Sequence, residues 1–440
     1  LDYWDDIGTH TFSGVVISFN RYNISSSGSD SNDGSENSPF ATIQAGINAA
    51  SNGDTVLVQP GTYVENIKII DKNIIIGSLT LISGDTSFIS ATIIDGNRTG
   101  STIDIHREEN LNSGFFHEIN GFTIQNGYEG LGSGINVIDA NVKLSNLIIR
   151  DNESMNHGGG LFSMNCDLEL INVKIIENRT EFVGGGLYII QHPTSDGITS
   201  LKNCTISNNI AWSSGYGNGG GIAVSGNNIT ISNSLISNNI SNGIGGGLHF
   251  SGGTTSNPVI SNCTIFGNTA TDGSNIYGTV VPEAQNGWTG LNNSIVWPND
   301  LSDQTHVRIS GPNGYDNYFT PYYSNVQYYD GSSTGMINSD PLFTDPDNGD
   351  YTLQAGSPSI DAGDPNSNLD PDGTVADMGA YFFNQAPIYV SPNGSDSNNG
   401  SENSPMATIQ AGLDASSYAV KVLEGEYVVS SNVIIPQGIN

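Results

Sequence analysis

Apolar and polar positions alternate with period two in a short unit that recurs along the middle of the chain. The copies are NLIIRDN (146–152), NVKIIEN (172–178), NCTISNN (203–209), NSLISNN (233–239), NCTIFGN (262–268) and NSIVWPN (293–299). Three positions after the first Asn stand Ile149, Ile175, Ile206, Ile236, Ile265 and Val296. One position after it stand Leu147, Val173, Cys204, Ser234, Cys263 and Ser294. Successive side chains of a strand point to opposite faces, so these two positions share a face, predicted to be the buried one. The residues between, Ile148, Lys174, Thr205, Leu235, Thr264 and Ile295, are predicted to point outward.

The unit starts are 26, 31, 30, 29 and 31 residues apart. Four copies are followed by a Gly triplet: GGGLFS (158–163), GGGLYI (184–189), GGGIAV (219–224) and GGGLHF (245–250). The connection before Gly219 is longer than the others and carries Trp212 and Tyr216. Short strands at such a period, with no helical pattern between them, predict an all-β solenoid. Stacked coils bring equivalent residues to about 4.8 Å, so the recurrent Asn residues are predicted to form ladders. Asn tolerates the left-handed conformation of tight turns, and Gly suits corners where backbones approach closely. Cys204 and Cys263 share an inward position two coils apart, beyond disulfide reach. With Cys166 they are expected to be free, buried thiols.

The entry to the solenoid reads GSDSNDGSENSPFATIQAGINAASNGDTVLVQPGTY (28–63). Ile43, Ile47 and Ala50 lie three or four apart, a helical apolar stripe. VLVQPGTY (56–63) then reads as strand and turn. Together with the segment DPLFTDPDNGDYTLQAGSPSIDAGDPNSNLDPDGTVADMGAY (340–381), the pattern resembles the right-handed parallel β-helix of the pectate-lyase-like superfamily. The resemblance covers roughly residues 21 to 440. It implies a polar loop and short helix capping the open end, and an exit segment closing the other.

The organisation read from this is a leader at 1–20, an entry cap at 21–64 and the solenoid at 65–299. A Tyr-rich closing section (300–383) and a linker (384–387) follow. Residues 388–440 then repeat the entry cap, matching it at 19 of 24 positions from Gly28 and Gly394. They read as the truncated start of a second β-helix module. One reading makes the chain a fragment of a tandem array. The other has the open end of 388–440 stack on another molecule, an end-to-end self-association.

Charge narrows the partners. Twelve Lys and Arg stand against 44 Asp and Glu, a formal net charge of −32. That excludes nucleic acid, which needs a basic surface, and argues against an anionic membrane surface. No apolar run is long enough to span a bilayer. The composition suits a secreted or cell-surface protein and permits calcium.

Lyases with this fold commonly use a Lys or Arg base beside calcium, over the sheet that here begins at each Gly triplet; no Lys or Arg motif specific to a lyase family matches, so no catalytic residue follows from the resemblance and the candidates come from stacking the units. Stacking the units sets Glu153 against Arg179 and Asp151 against Glu177, with Arg150 and His157 nearby. IDIHREEN (103–110) and FFHEING (115–121) add charge to the same region. The bland reading of Glu153 and Arg179 is an exposed ion pair worth about 0–1 kcal/mol. Phe162, Tyr188, Ala223 and His249 form the outward row of the triplet sheet, and with Trp212 and Tyr216 are candidates for stacking on sugar rings. Phe266 and Trp297 are a second outward pair. GYDNYFTPYYSNVQYYD (314–330) is read as packing over the last coils. For calcium, Asp364, Asn366, Asn368, Asp370 and Asp372 alternate, with Asp377 beyond them. Asp345, Asp347 and Asp350 form a second acidic turn, and Asp30, Asn32 and Asp33 a third.

Two functions follow. The first is a secreted or surface-exposed structural or adhesive module that contacts a polysaccharide or surface glycan. The second is a polysaccharide lyase or hydrolase. The lack of a recognisable catalytic constellation and the scarcity of basic residues favour the first.

Overall fold

A computed structural model describes residues 10–12, 15–17, 19–107, 116–191, 198–226, 229–251, 258–279, 290–310, 320–329, 333–416, 418–429 and 432–435. Most of the leader, residues 108–115 of the charged segments and 314–319 of the Tyr-rich segment lie outside them. The chain divides into two compact units: Leu1–Leu291 with Val296–Pro321, and Asn292–Ile295 with Tyr322–Asn440.

The first unit is a stack of parallel coils. One coil runs through Asn141–Arg150, Glu153–His157 and Leu161–Met164, the next through Leu168–Ile176, Arg179–Thr180 and Leu187–Ile190. The long strands bend at Asn146 and Asn172, so each coil contributes to four successive ladders. All pairings between these coils are parallel and in register, for example Ile149 with Ile175 and Leu161 with Leu187. The fourth ladder is a nine-stranded sheet from Ile67–Ile70 to Val307–Ser310. The third is a short, five-stranded one.

The predicted inward positions are the core: Ile149, Ile175, Ile206, Ile236 and Ile265 have no exposed surface. The two Asn of each unit do different work. The first sits at the left-handed corner, with φ of 54° at Asn146, 56° at Asn172 and 54° at Asn203. Their amides form an outer ladder, Asn172 Nδ2 donating to Asn146 Oδ1 at 3.1 Å. The second Asn is buried: Asn152, Asn178, Asn209, Asn239 and Asn268 are 0–4% exposed. This inner ladder runs with opposite polarity, Asn152 Nδ2 donating to Asn178 Oδ1 at 2.9 Å. Each inner Asn also donates to a main-chain carbonyl of the previous coil, which keeps buried polar groups paired. The triplets fit around it. Gly184 has φ of 73°, and a Cβ on Gly186 would lie 2.7 Å from the Gly221 carbonyl oxygen and 2.9 Å from Asn209 Nδ2. The three cysteines form no disulfide and are buried, and burial pushes Cys166 and Cys204 up to about 11 and Cys263 to about 12.

The entry is capped as the stripe predicted. Helix Ile43–Ala49 buries Ile43 and Ile47, and Thr42 caps it by accepting from Ala45 N–H. The following coil holds both helix ends. The Glu65 carboxylate accepts from Ile43 and Gln44 N–H at 2.8 and 3.0 Å, and Lys72 Nζ donates to the carbonyls of Ile47, Asn48 and Ala50. These charges complement the helix dipole.

Several outward positions are not exposed. Leu235, Thr264 and Ile295 are 6%, 1% and 0% exposed, and Phe266 and Trp297 are 9% and 8%. Alternation places a side chain on the outer face of a strand but does not decide whether that face is open to solvent.

In the second unit, Phe343–Asp345 pairs antiparallel with Asp350–Leu353. Tyr351, Leu353, Ala376 and Met378 are buried in this unit, and Asn325 is held by Ser339 and Ser359. Gln385, in the expected linker, donates to Asp372 and Asp361. A second cap helix, Ile409–Ala415, packs by the parallel pair Ile388–Val390 and Val420–Val422.

Candidate glycan-contacting surface

The outward column of the fourth ladder is Lys68, Asp104, Asn136, Phe162, Tyr188, Ala223, His249, Tyr277 and Arg308, all in register. It is less open than the sequence suggested. Phe162 is 2% and Ala223 0% exposed, and Tyr188 and His249 are half-buried. The rings pack on one another instead: Phe162 meets Tyr188 edge-on at 5.8 Å, His157 lies 5.3 Å from Tyr188 and 5.9 Å from Phe182, and His249 lies 5.9 Å from Tyr277. Burial lowers His157 and pushes His249 down to about 4, so both are neutral at pH 7. At its entry end the column carries a polar set, Asn136 Nδ2 donating to Asp104 at 3.0 Å with His106 Nδ1 3.5 Å from the same carboxylate.

The charged candidates sit on the second and third ladders. Glu153 is in register with Arg179, but its ion pair is made elsewhere. Arg98 Nη2 reaches Glu153 Oε2 at 2.8 Å while its guanidinium lies over the Tyr128 ring at 4.8 Å. Arg98 comes from a turn with φ of 55°, outside the repeated units, so stacking of the repeats alone did not reveal it. Arg150 donates to Gln125 at 2.9 Å and lies 3.7 Å from Asp151. Asp151 and Glu177 occupy left-handed corners, with φ of 55° and 59°. Arg179 is exposed and makes no ion pair among the described residues.

The third ladder carries the open aromatic surface. Its outward column runs Tyr128, Glu153, Arg179, Ile210, Ile240, over inward Ser154, Thr180, Ala211 and Ser241. Beside it Trp212 is 41%, Ile240 39% and Tyr216 70% exposed. The connection that bears Trp212 and Tyr216 is fastened to both neighbouring coils. Trp212 N–H donates to Thr180 and Ser213 N–H to Glu181, while Asn242 Nδ2 donates to the Trp212 carbonyl at 2.7 Å and Gly215 N–H to that of Asn242. The rings therefore stand on a braced loop, with Arg179, Glu181 and Asn242 as polar neighbours.

The calcium candidates are turn braces. Asp372 accepts from Thr374 and Gln385, Asp377 from Asp361 and Phe383, Asp370 from Asp377, and Asp364 from Asn366. Asn368 belongs to the same turn-rich stretch. Asp345 accepts from Asn348, Asp350 from Thr352, Asp30 from Ala41 and Thr42, and Asp33 from Ser35. Among the described residues no group of three His, Cys, Asp or Glu side chains is arranged to hold a metal ion.

Residues 26–215 match a family described as a protein of unknown function, DUF1565. No curated protein matches the chain by sequence. Among solved structures, the pectate lyase Pel9A is similar at 16% identity and a TM-score of 0.50, over 84% of this chain and 98% of that one. The chain folds as a right-handed parallel β-helix, as that lyase does. A pectin methylesterase bound to a hexasaccharide (12% identity, TM-score 0.32, 76% of this chain and 98% of that one) and a rhamnogalacturonan lyase (14%, 0.25, 83% and 97%) are more distant. The likeness to Pel9A concerns the fold of this β-helix, and its function has to be argued from its own surface. No helix among the described residues is long and apolar enough to cross a membrane.

Proposed function

We propose that this β-helix is a secreted or surface-exposed structural or adhesive module that contacts a glycan without cleaving it, through the third ladder around Trp212 and Tyr216. The observation that carries this is the exposure of both rings on a loop braced to two coils. Large exposed apolar groups rimmed by polar ones mark interaction surfaces. An indole or phenol ring takes the C–H face of a sugar, and Arg179, Glu181 and Asn242 offer hydrogen bonds to its hydroxyls. Bracing removes part of the ordering cost on binding.

Proton abstraction would need a poised base beside a charge that stabilises the product anion. Glu153 is neutralised by Arg98, Arg150 is engaged with Gln125, and burial makes the half-buried His157 and His249 weak bases. This supports contact rather than cleavage. Incubation with a polysaccharide panel, with and without calcium, tests it. Retention of a polymer without release of ultraviolet-absorbing unsaturated product is expected. Release of such product, lost on Arg179→Ala, would replace this reading with a lyase.

A further inference from the structure

The outward face of the third ladder changes character from coil to coil. The buried residues Ser154, Thr180, Ala211 and Ser241 fix its register. One residue further on, Glu181 N–H donates to the Ser154 carbonyl, Trp212 N–H to that of Thr180 and Asn242 N–H to that of Ala211. Met155, Glu181, Trp212 and Asn242 therefore follow one another along the solenoid axis, one to each coil. Beside them runs the column Glu153, Arg179, Ile210 and Ile240.

Met155 is 44%, Trp212 41% and Ile240 39% exposed. Met155 and Trp212 lie two coils apart, about 9–10 Å at the spacing of paired strands. The coil between them presents Arg179 and Glu181 instead, a donor and an acceptor two residues apart on one strand face. An apolar station, a polar station and a second apolar station thus succeed one another at one-coil intervals. Met is a thioether chain that adapts to the surface it meets, and Trp offers a flat ring.

We infer that the ligand of this surface is an unbranched, neutral, β-1,4-linked glycan lying along the solenoid axis with one sugar ring to each coil. The inference rests on the contact reading above and narrows it to a class. In an extended β-1,4-linked chain each ring is turned over relative to the last. Every second ring therefore offers the same C–H face, at a repeat close to the separation of Met155 and Trp212. The ring between them lies over Arg179 and Glu181, whose N–H groups and carboxylate match its hydroxyls. An α-1,4-linked chain coils and leaves a straight row of stations.

Charge decides against an anionic polymer. Asp151 and Glu177 are exposed at the corners beside the platform, and Arg98 and Arg150 are already engaged. A polyuronate would meet like charge along the row. Met155 to Ile240 covers four coils, so affinity grows with chain length to about four sugars and then levels.

Ligand-observed NMR titration of the full chain tests this, with cello-, malto- and galacturonate oligosaccharides from disaccharide to hexasaccharide. The cello-series is expected to bind, with affinity rising up to about the tetrasaccharide. Met155→Ala is expected to weaken cellotetraose about fourfold, the worth of one buried methylene, and to leave cellobiose, which seats on Trp212, unchanged. Trp212→Ala is expected to weaken both. Equal affinity for cellobiose and cellotetraose, cellotetraose binding indifferent to Met155→Ala, or Trp212-dependent binding that prefers any other series would overturn the inference and leave the contact reading standing. Binding of no glycan, or binding indifferent to Trp212→Ala, would overturn both.

Discussion

Asn178 donates from Nδ2 to Oδ1 of Asn209, one coil further on, at 3.1 Å, and the same oxygen accepts the Asn178 N–H at 3.0 Å. Asn209 in turn donates to the Ile175 carbonyl and to Asn239. One buried amide therefore serves three coils. Asn209→Ala leaves several buried groups unpaired and is expected to destabilise by about 2–4 kcal/mol. At the outer ladder, Asn172→Ala keeps a Cβ in the left-handed corner but removes the amide that makes this conformation tolerable, for about 1–2 kcal/mol, and Asn172→Gly recovers most of it. Melting temperatures of the three variants check the ranking. Equal losses for Asn209→Ala and Asn172→Ala would refute the distinction between the ladders.

The entry helix depends on charges from the next coil. Lys72→Met removes the donor to three carbonyls at its C-terminal end and is expected to weaken the cap by about 1 kcal/mol. Hydrogen exchange should quicken in residues 43–50 and stay unchanged at the inner Asn ladder. Uniform quickening along the solenoid would contradict a local clamp.

Burial, with help from the Asp370 and Asp361 charges, pushes Asp377 up to about 6 despite two backbone N–H bonds. A carboxyl whose folded value lies above the ordinary one binds its proton more readily folded than unfolded. Its contribution therefore becomes more favourable as pH falls from about 7 towards 4, and is lost as pH rises through 6. Asp377→Asn should flatten that part of the stability profile relative to the unsubstituted chain. Parallel profiles for the two proteins would show that Asp377 does not titrate there.

Since the acidic turns of the second unit are filled by backbone donors, millimolar calcium is expected to leave the melting temperature unchanged, and chelation likewise. A calcium-dependent rise that Asp372→Asn abolishes would restore a metal role for this segment.

Much of the coil interior was legible because period-two alternation and a fixed repeat constrain which face is buried. Ile149, Ile175 and Cys204 needed nothing beyond their neighbours in sequence. The cap helix was legible from the spacing of Ile43, Ile47 and Ala50. Alternation fixes which side of the strand a residue takes but not how its ring packs there, and so the burial of Phe162 against Tyr188 was not. The partner of Glu153 was missed for a related reason: Arg98 lies in a turn outside the repeating units, 55 residues away. The exposed platform had a faint signal, the longer connection ahead of Gly219, but its bracing by Asn242 emerges only once the coils are stacked.

The central claim concerns which face of the β-helix meets a glycan. Glycan-array binding by the unsubstituted chain, Trp212→Ala and Tyr188→Ala tests it most directly. Binding abolished by Trp212→Ala and retained by Tyr188→Ala is the predicted result. Binding that survives Trp212→Ala but disappears with Tyr188→Ala would move the site to the Gly-triplet sheet and contradict the account.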